Sequence, residues 1–281
     1  MTLVEAFPGL EHPPFDIGSG PGSAVVVHGF PGTPAEVRAI AEALAAIGWR
    51  ARAPLLPGFG PEWATLPQRR WPEWRASVAA EARRAKEHGG PVLLVGFSVG
   101  AALVMSAIHD EGAAADAMVL LAPFTRLADR RAALLPLVSR LVPVFRPYAN
   151  ADFDDARVRD GLLRKLGTVD LDDPATRERL RTDVTVPTVA VDQVRRAGLR
   201  AWRVAPHLPD LPTLVVQGER DATVTPASTI ALLRRLPGAP LRLFLPEADH
   251  LMVLPDQPGH MELLRALQRF GHERLGRLAV S

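Results

Sequence analysis

Four short runs of this chain are apolar at nearly every position: Ala24-Val25-Val26-Val27, Pro91 to Val95, Met118 to Leu121 and Thr213 to Gln217. A strand with one face in water alternates apolar and polar side chains. A run without that alternation suits a strand covered on both faces of a parallel sheet. Parallel neighbours need long crossover connections, and amphipathic helical patterns fill the intervals. The first follows Thr33-Pro34-Ala35-Glu36, where Thr33 is expected to cap, Pro34 to take the first helical position and Glu36 to complete a capping box. Val37, Ile40, Ala41, Leu44 and Ile47 form its apolar stripe, and Gly48 ends it. Pro72 to His88, Val99 to His109, Pro226 to Leu236 behind Thr225, and about Gly259 to Leu275 read as further helices. Ala51 to Leu56 and Leu241 to Leu245 read as further strands, with Phe15-Asp16-Ile17 as a reduced first one. The pattern predicts an α/β protein, a mostly parallel sheet of about seven strands flanked by helices.

The rhythm breaks between about Thr125 and Leu211, where Arg- and Leu-rich helical patterns are interrupted at Pro136, Pro143, Pro147 and Pro187 and no buried strand is evident. A stretch of about 85 residues is too long for a structureless loop in a compact domain. The expectation is one core domain, residues 1–124 and 211–281, carrying a helical insertion over 125–210.

Composition removes several classes of function. The 281 residues include no cysteine, so disulfides, cysteine-based metal sites and a thiol nucleophile are excluded. Thirty-three Lys and Arg stand against 31 Asp and Glu, a formal net charge of +2. Acidic residues are interspersed with the arginines instead of leaving one basic face, which argues against a nucleic-acid partner. No run reaches the ~18 apolar residues that would span a membrane. Met1 to Gly9 has neither the basic start nor the apolar stretch of a secretory signal. A cytoplasmic protein without stable membrane insertion is expected.

Gly96-Phe97-Ser98-Val99-Gly100 sits where the strand ending at Val95 meets the next helix. A Gly-x-Ser-x-Gly corner in that setting exposes the serine at the top of the sheet, and the glycines remove Cβ atoms that the tight backbone could not accommodate. A serine hydroxyl needs a base, and the base an orienting acid, in the chain order Ser, acid, His for this kind of turn. Asp221, in Gly218-Glu219-Arg220-Asp221, follows the strand ending at Gln217. His250, in Ala248-Asp249-His250, follows the last strand. Both loops lie at the carboxyl edge of the sheet, where open α/β sheets place their sites. Of the eight histidines, His12 precedes the sheet, His88 and His109 end helices, His207 falls in the insertion, and His260 and His272 lie on the last helix. Glu219 is the reserve acid; Asp249 is too close in sequence to bond the His250 ring. In His28-Gly29-Phe30-Pro31-Gly32, the Phe30 N–H, together with that of Val99, is assigned to an oxyanion hole, with His28 itself structural.

These four motifs in this order resemble the α/β-hydrolase superfamily, and within it small bacterial carboxylesterases and monoacylglycerol-lipase-like esterases. The resemblance runs from about Phe15 to Phe270. It implies a serine hydrolase acting on a small-molecule carboxylic ester, lipid-derived substrates included, through an acyl-enzyme on Ser98 with His250 as base and Asp221 orienting it. It also implies that the insertion is a cap over the site. No cofactor or metal is expected. Ala101 stands where many relatives have a second glycine, and Asp249 where a small residue is frequent. Other triad chemistry (thioester, carbon-carbon bond, peptide or perhydrolysis) and a non-catalytic binding module stay open. The apolar stretch Leu134 to Phe145 either lines an acyl pocket, touches lipid or packs; packing is the commoner reason for such a run.

Overall fold

A computed structural model describes residues 12–126, 135–156, 158–159, 162–163 and 169–278. The start of the chain and Leu134 lie outside them. Strands β1 (Phe15–Ile17), β2 (Gly22–Val27), β3 (Trp49–Ala53), β4 (Val92–Phe97) and β5 (Ala117–Leu121) precede the insertion. Helices α1 (Arg38–Ala45), α2 (Trp71–Glu87) and α3 (Val99–Glu111) alternate with them. Between residues 125 and 210 come α4 (Leu135–Leu141), β6 (Val144–Phe145), α5 (Pro174–Thr182), β7 (Val186–Pro187) and α6 (Thr188–Val204). They are followed by β8 (Thr213–Gly218), α7 (Pro226–Leu233), β9 (Leu241–Leu245) and α8 (His260–Leu278).

The seven-stranded sheet has the order β1-β3-β2-β4-β5-β8-β9, with only β1 antiparallel. Its inner strands β2, β4, β5 and β8 are buried along their whole length, as their unbroken apolar runs require. A mostly parallel sheet covered on both faces is therefore what the alternation indicates. β3 ends at Ala53 and not at Leu56, because Pro54 has no N–H to continue the ladder. From β2 the chain crosses first to β3 on one side and then to β4 on the other. The loops leaving β2 and β4 thus diverge at the switch point where such sheets open a crevice.

Three details differ from expectation. Thr33 precedes the helix with extended backbone but makes no side-chain cap, and Pro34–Val37 is a 3-10 turn. The Glu36 carboxylate accepts instead from the Gly29 N–H at 2.8 Å, so it braces the loop after β2. A 3-10 segment, Gly60–Gln68, lies between β3 and α2, where the sequence reading assigns no element; its Trp63 and Leu66 are buried. In the insertion, β6 and β7 form a two-residue antiparallel pair, too short to leave an apolar signature.

Helices cover both faces. α1 packs with α8 on one face, and α2, α3 and α6 pack together on the other. The α6 residue Gly198 lies against the loop after β5, where a Cβ would sit 2.7 Å from the Phe124 ring and 2.8 Å from the Thr125 carbonyl oxygen. The three helices on the second face are also joined by charge. Asp110 at the end of α3 binds Arg75 of α2 at 2.6 Å and is held by Arg200 of α6, while Arg75 Nε donates to Glu111. Burial pushes the Asp110 carboxyl up, but hydrogen bonds from Arg200 and His109 and the charges of Arg200 and Arg75 outweigh it, lowering its pKa to about 2.

A carboxylate with a depressed folded pKa stabilises the fold above its unfolded pKa and loses that contribution as pH falls through the folded one. Asp110→Asn is expected to cost about 1–2 kcal/mol at neutral pH, a shift of this size discounted for partial solvent access. Urea unfolding should show the difference between the two proteins shrinking between pH 4 and pH 2; a constant difference across that window would contradict this account.

Candidate active site

Ser98 follows β4 directly and opens α3 with φ 54° and ψ −117°, a left-handed conformation that a residue with a Cβ adopts only when its surroundings enforce it. Its N–H donates to the Leu121 carbonyl at 2.8 Å, and its own carbonyl accepts from Ala101 and Phe124. The neighbouring glycines are sterically required. A Cβ on Gly96 would lie within 2.5 Å of the Ala101 backbone, and one on Gly100 would collide with the carbonyl oxygens of Val27 and His28.

Asp221 and His250 meet beside this corner. Asp221 Oδ2 lies 2.8 Å from His250 Nδ1, and the Asp221 side chain is fully buried. Its Oδ1 accepts from the N–H groups of Thr223 and Val224, each at 2.8 Å. Because a carboxylate can only accept, Nδ1 carries the imidazole proton and Nε2 is left as an acceptor. The His250 ring lies 5.0 Å from that of Phe97, the residue before Ser98. Ser98 Oγ has no hydrogen bond among the described residues; in unliganded sites such contacts commonly tighten only when substrate binds. The reserve acid Glu219 is exposed, and Asp249 turns to the Leu251 N–H at 2.8 Å.

Gln217 has no place in the sequence reading, yet it holds the acid loop. Wholly buried, its amide donates to the carbonyls of Gly218 and Val224 and, at 3.3 Å, to Asp221 Oδ2, while its oxygen accepts from Thr229 at 2.6 Å. A polar residue at the end of an otherwise apolar strand was the available signal.

The loop after β2 is equally constrained. Buried His28 donates from Nδ1 to the Gly29 carbonyl and accepts at Nε2 from the Leu56 N–H, which suits a neutral ring. Desolvation lowers its pKa to about 4 against a smaller upward effect of the Gly29 bond. Phe59 stacks edge-on against His28, Phe30 and Trp74, and Trp63 packs beside Phe30. The segment missed in the sequence therefore supports the residue assigned to the oxyanion hole. Neither the Phe30 N–H nor the Val99 N–H donates to an acceptor among the described residues.

A family model described as serine aminopeptidase, S33, matches residues 21–254. The chain belongs to this hydrolase family. Over 92 residues the hydrolase is 33% identical to a thermostable monoacylglycerol lipase of Bacillus sp. (strain H-257), a match covering 33% of this chain and 37% of that lipase. The aligned stretch thus spans little more than a third of this curated relative. Solved structures agree over nearly the full length. One from the metagenome-derived lipolytic enzymes LipS and LipT has a TM-score of 0.75 at 20% identity, covering 95% of this chain and 99% of its own. The monoacylglycerol lipase of Paleococcus ferrophilus has a TM-score of 0.68 at 19% identity, covering 94% and 99%. A thioesterase domain from the curacin biosynthetic pathway reaches 0.61 at 17% identity, covering 90% and 93%. These likenesses establish the α/β-hydrolase fold.

A histidine held neutral in the fold but free to protonate when unfolded destabilises the fold as pH drops below its unfolded pKa. The hydrolase is expected to lose about 3 kcal/mol of stability through His28 as pH falls from 6.5 toward 4, the two-and-a-half-unit shift converted at ~1.4 kcal/mol per unit. His28→Gln should unfold more readily at pH 7 but show a flatter profile over that interval; an equally steep limb in the variant would assign the acid sensitivity to other groups.

Proposed function

We propose that this hydrolase cleaves carboxylic esters through an acyl-enzyme on Ser98. The observation that carries the reading is the buried Asp221–His250 bond of 2.8 Å on loops that converge with the strained serine corner. In the proposed reaction, His250 Nε2 takes the Ser98 hydroxyl proton as Oγ attacks the ester carbonyl. The Phe30 and Val99 N–H groups stabilise the resulting oxyanion, at about 3–4 kcal/mol for a single such donor. His250 returns the proton to the departing alcohol. It then takes one from water as the water oxygen attacks the acyl carbonyl, and passes it to Ser98 Oγ as the ester bond to the serine breaks and the acid leaves. Asp221 keeps the ring in the required tautomer and balances the imidazolium charge throughout.

The substrate class proposed is a small ester, lipid-derived acyl chains included, as the names of the lipolytic relatives suggest. The insertion over 125–210 is proposed to cap the site, with α6, packed on α2 and α3, attaching it to the rest of the fold. Leu141, Val142 and Phe145 are exposed, Leu141 at 77%, so this part of the apolar stretch is not accounted for by packing. Among the described residues no helix is long and apolar enough to cross a membrane. The family description favours one further reading, cleavage of an aminoacyl bond by the same residues.

A panel of p-nitrophenyl esters from acetate to palmitate, with aminoacyl anilides beside them, tests both readings. Esters should be turned over faster, and Ser98→Ala should lower turnover by about 10⁶-fold, as removal of a triad nucleophile does. Ester turnover surviving in Ser98→Ala would end the assignment, and faster anilide cleavage would replace it with the peptidase reading.

A further inference from the structure

A cavity of about 360 Å³ opens beneath the C-terminal half of α2, at the amino ends of β2 and β3. Ser98 stands at the carboxyl end of β4, so this is a separate place in the fold. Strand register fixes what faces it. Ser23 pairs with Arg50 and Val25 with Arg52 between β2 and β3, and Asp16 pairs with Arg52 between β1 and β3. Directly paired residues project to the same face, and Arg52 meets Glu81 of α2 there.

Most of the charge is matched within the protein. Arg52 binds Glu81 and Asp16, each at 2.6 Å, and Arg84 binds Glu81 at 3.3 Å. Arg50 is different. Half-buried, it has no carboxylate partner among the described residues, and its Nε is buried without an acceptor. Ser23, only 4% exposed, also has a buried hydroxyl without a partner. Buried polar groups left without partners cost free energy. Here two of them, paired in register, line one cavity, and both can donate.

We propose that this cavity binds a small organic carboxylate. Its oxygens accept from the Arg50 guanidinium and the Ser23 hydroxyl, and its apolar part rests on Val25 and Ala85, which also line the cavity. Arg50, Arg52 and Arg84 against Asp16 and Glu81 leave one positive charge in excess. That balance matches a monoanion; a phosphate dianion would add a second negative charge close to Asp16 and Glu81. The site stands independently of the reaction proposed for Ser98.

The test is titration of the whole chain with ¹³C-carboxyl-labelled octanoate followed by NMR, with inorganic phosphate as the comparison anion. Wild type and Ser98→Ala should bind octanoate alike and more tightly than phosphate. Arg50→Gln and Ser23→Ala should each weaken octanoate binding by about tenfold, the effect of one charge-assisted hydrogen bond. Ser23→Ala should also raise the unliganded Tm, because it removes a buried hydroxyl without a partner; it decides the matter if Arg50→Gln does not fold. Absence of octanoate binding, binding unchanged in Ser23→Ala, binding lost in Ser98→Ala, or tighter binding of phosphate would each overturn the proposal.

Discussion

The constraint on which the serine corner depends is backbone against backbone. Gly100, in the first turn of α3, is pressed on the carbonyls of Val27 and His28 at the end of β2, while Gly96 is pressed on Ala101. Nothing larger than hydrogen fits at either position, so β2, β4 and α3 can meet only with the serine corner in its left-handed conformation. The interior around this contact is apolar on both faces of the sheet, and burial of that surface favours the close approach. Strain at Ser98 is thereby over-determined by its surroundings, as such conformations require.

Around that contact, the loops after β2, β8 and β9 are each held by polar side chains that are buried or partly buried. His28 and Glu36 secure the loop after β2, Gln217 secures the loop after β8, and Asp221 holds His250 in turn. The division of labour is consistent: regular strands set the positions of the loops, and single buried side chains set their conformations. Backbone donors directed at an oxyanion are effective only when they need not reorganise during reaction. The aromatic cluster of Phe59, Trp63 and Trp74 beneath Phe30 provides that rigidity in the proposed mechanism.

The strands, their mostly parallel arrangement, most helix positions and the placing of Ser98, Asp221 and His250 just after the strand ends were legible because each rests on a local signal. Unbroken apolar runs mark buried parallel strands, and glycines flanking a serine mark a sharp corner. What escaped depends on distant partners. The Gly60–Gln68 segment contains two prolines and no helical apolar stripe, so nothing local marks it before Trp63 is seen packed on Phe30. Glu36 fits a capping box by spacing, and only the three-dimensional position of Gly29 shows where its carboxylate goes. Long helix α6 falls where the strand–helix rhythm is broken, and its packing on α2 and α3 involves residues more than seventy positions earlier in the chain.

The contact of Gly198 with Phe124 and Thr125 brings the middle of α6 back against the loop after β5, where the segment proposed as a cap begins. The two ends of the segment between Thr125 and Gly198 are therefore held together by that contact. Closing a flexible segment costs only about 0.6 kcal/mol more for each doubling of its length. Such a junction is a graft point: segments of quite different length and sequence can occupy it at little expense to the sheet below. Diversification of what reaches Ser98 can then proceed without disturbing the residues that would act on it.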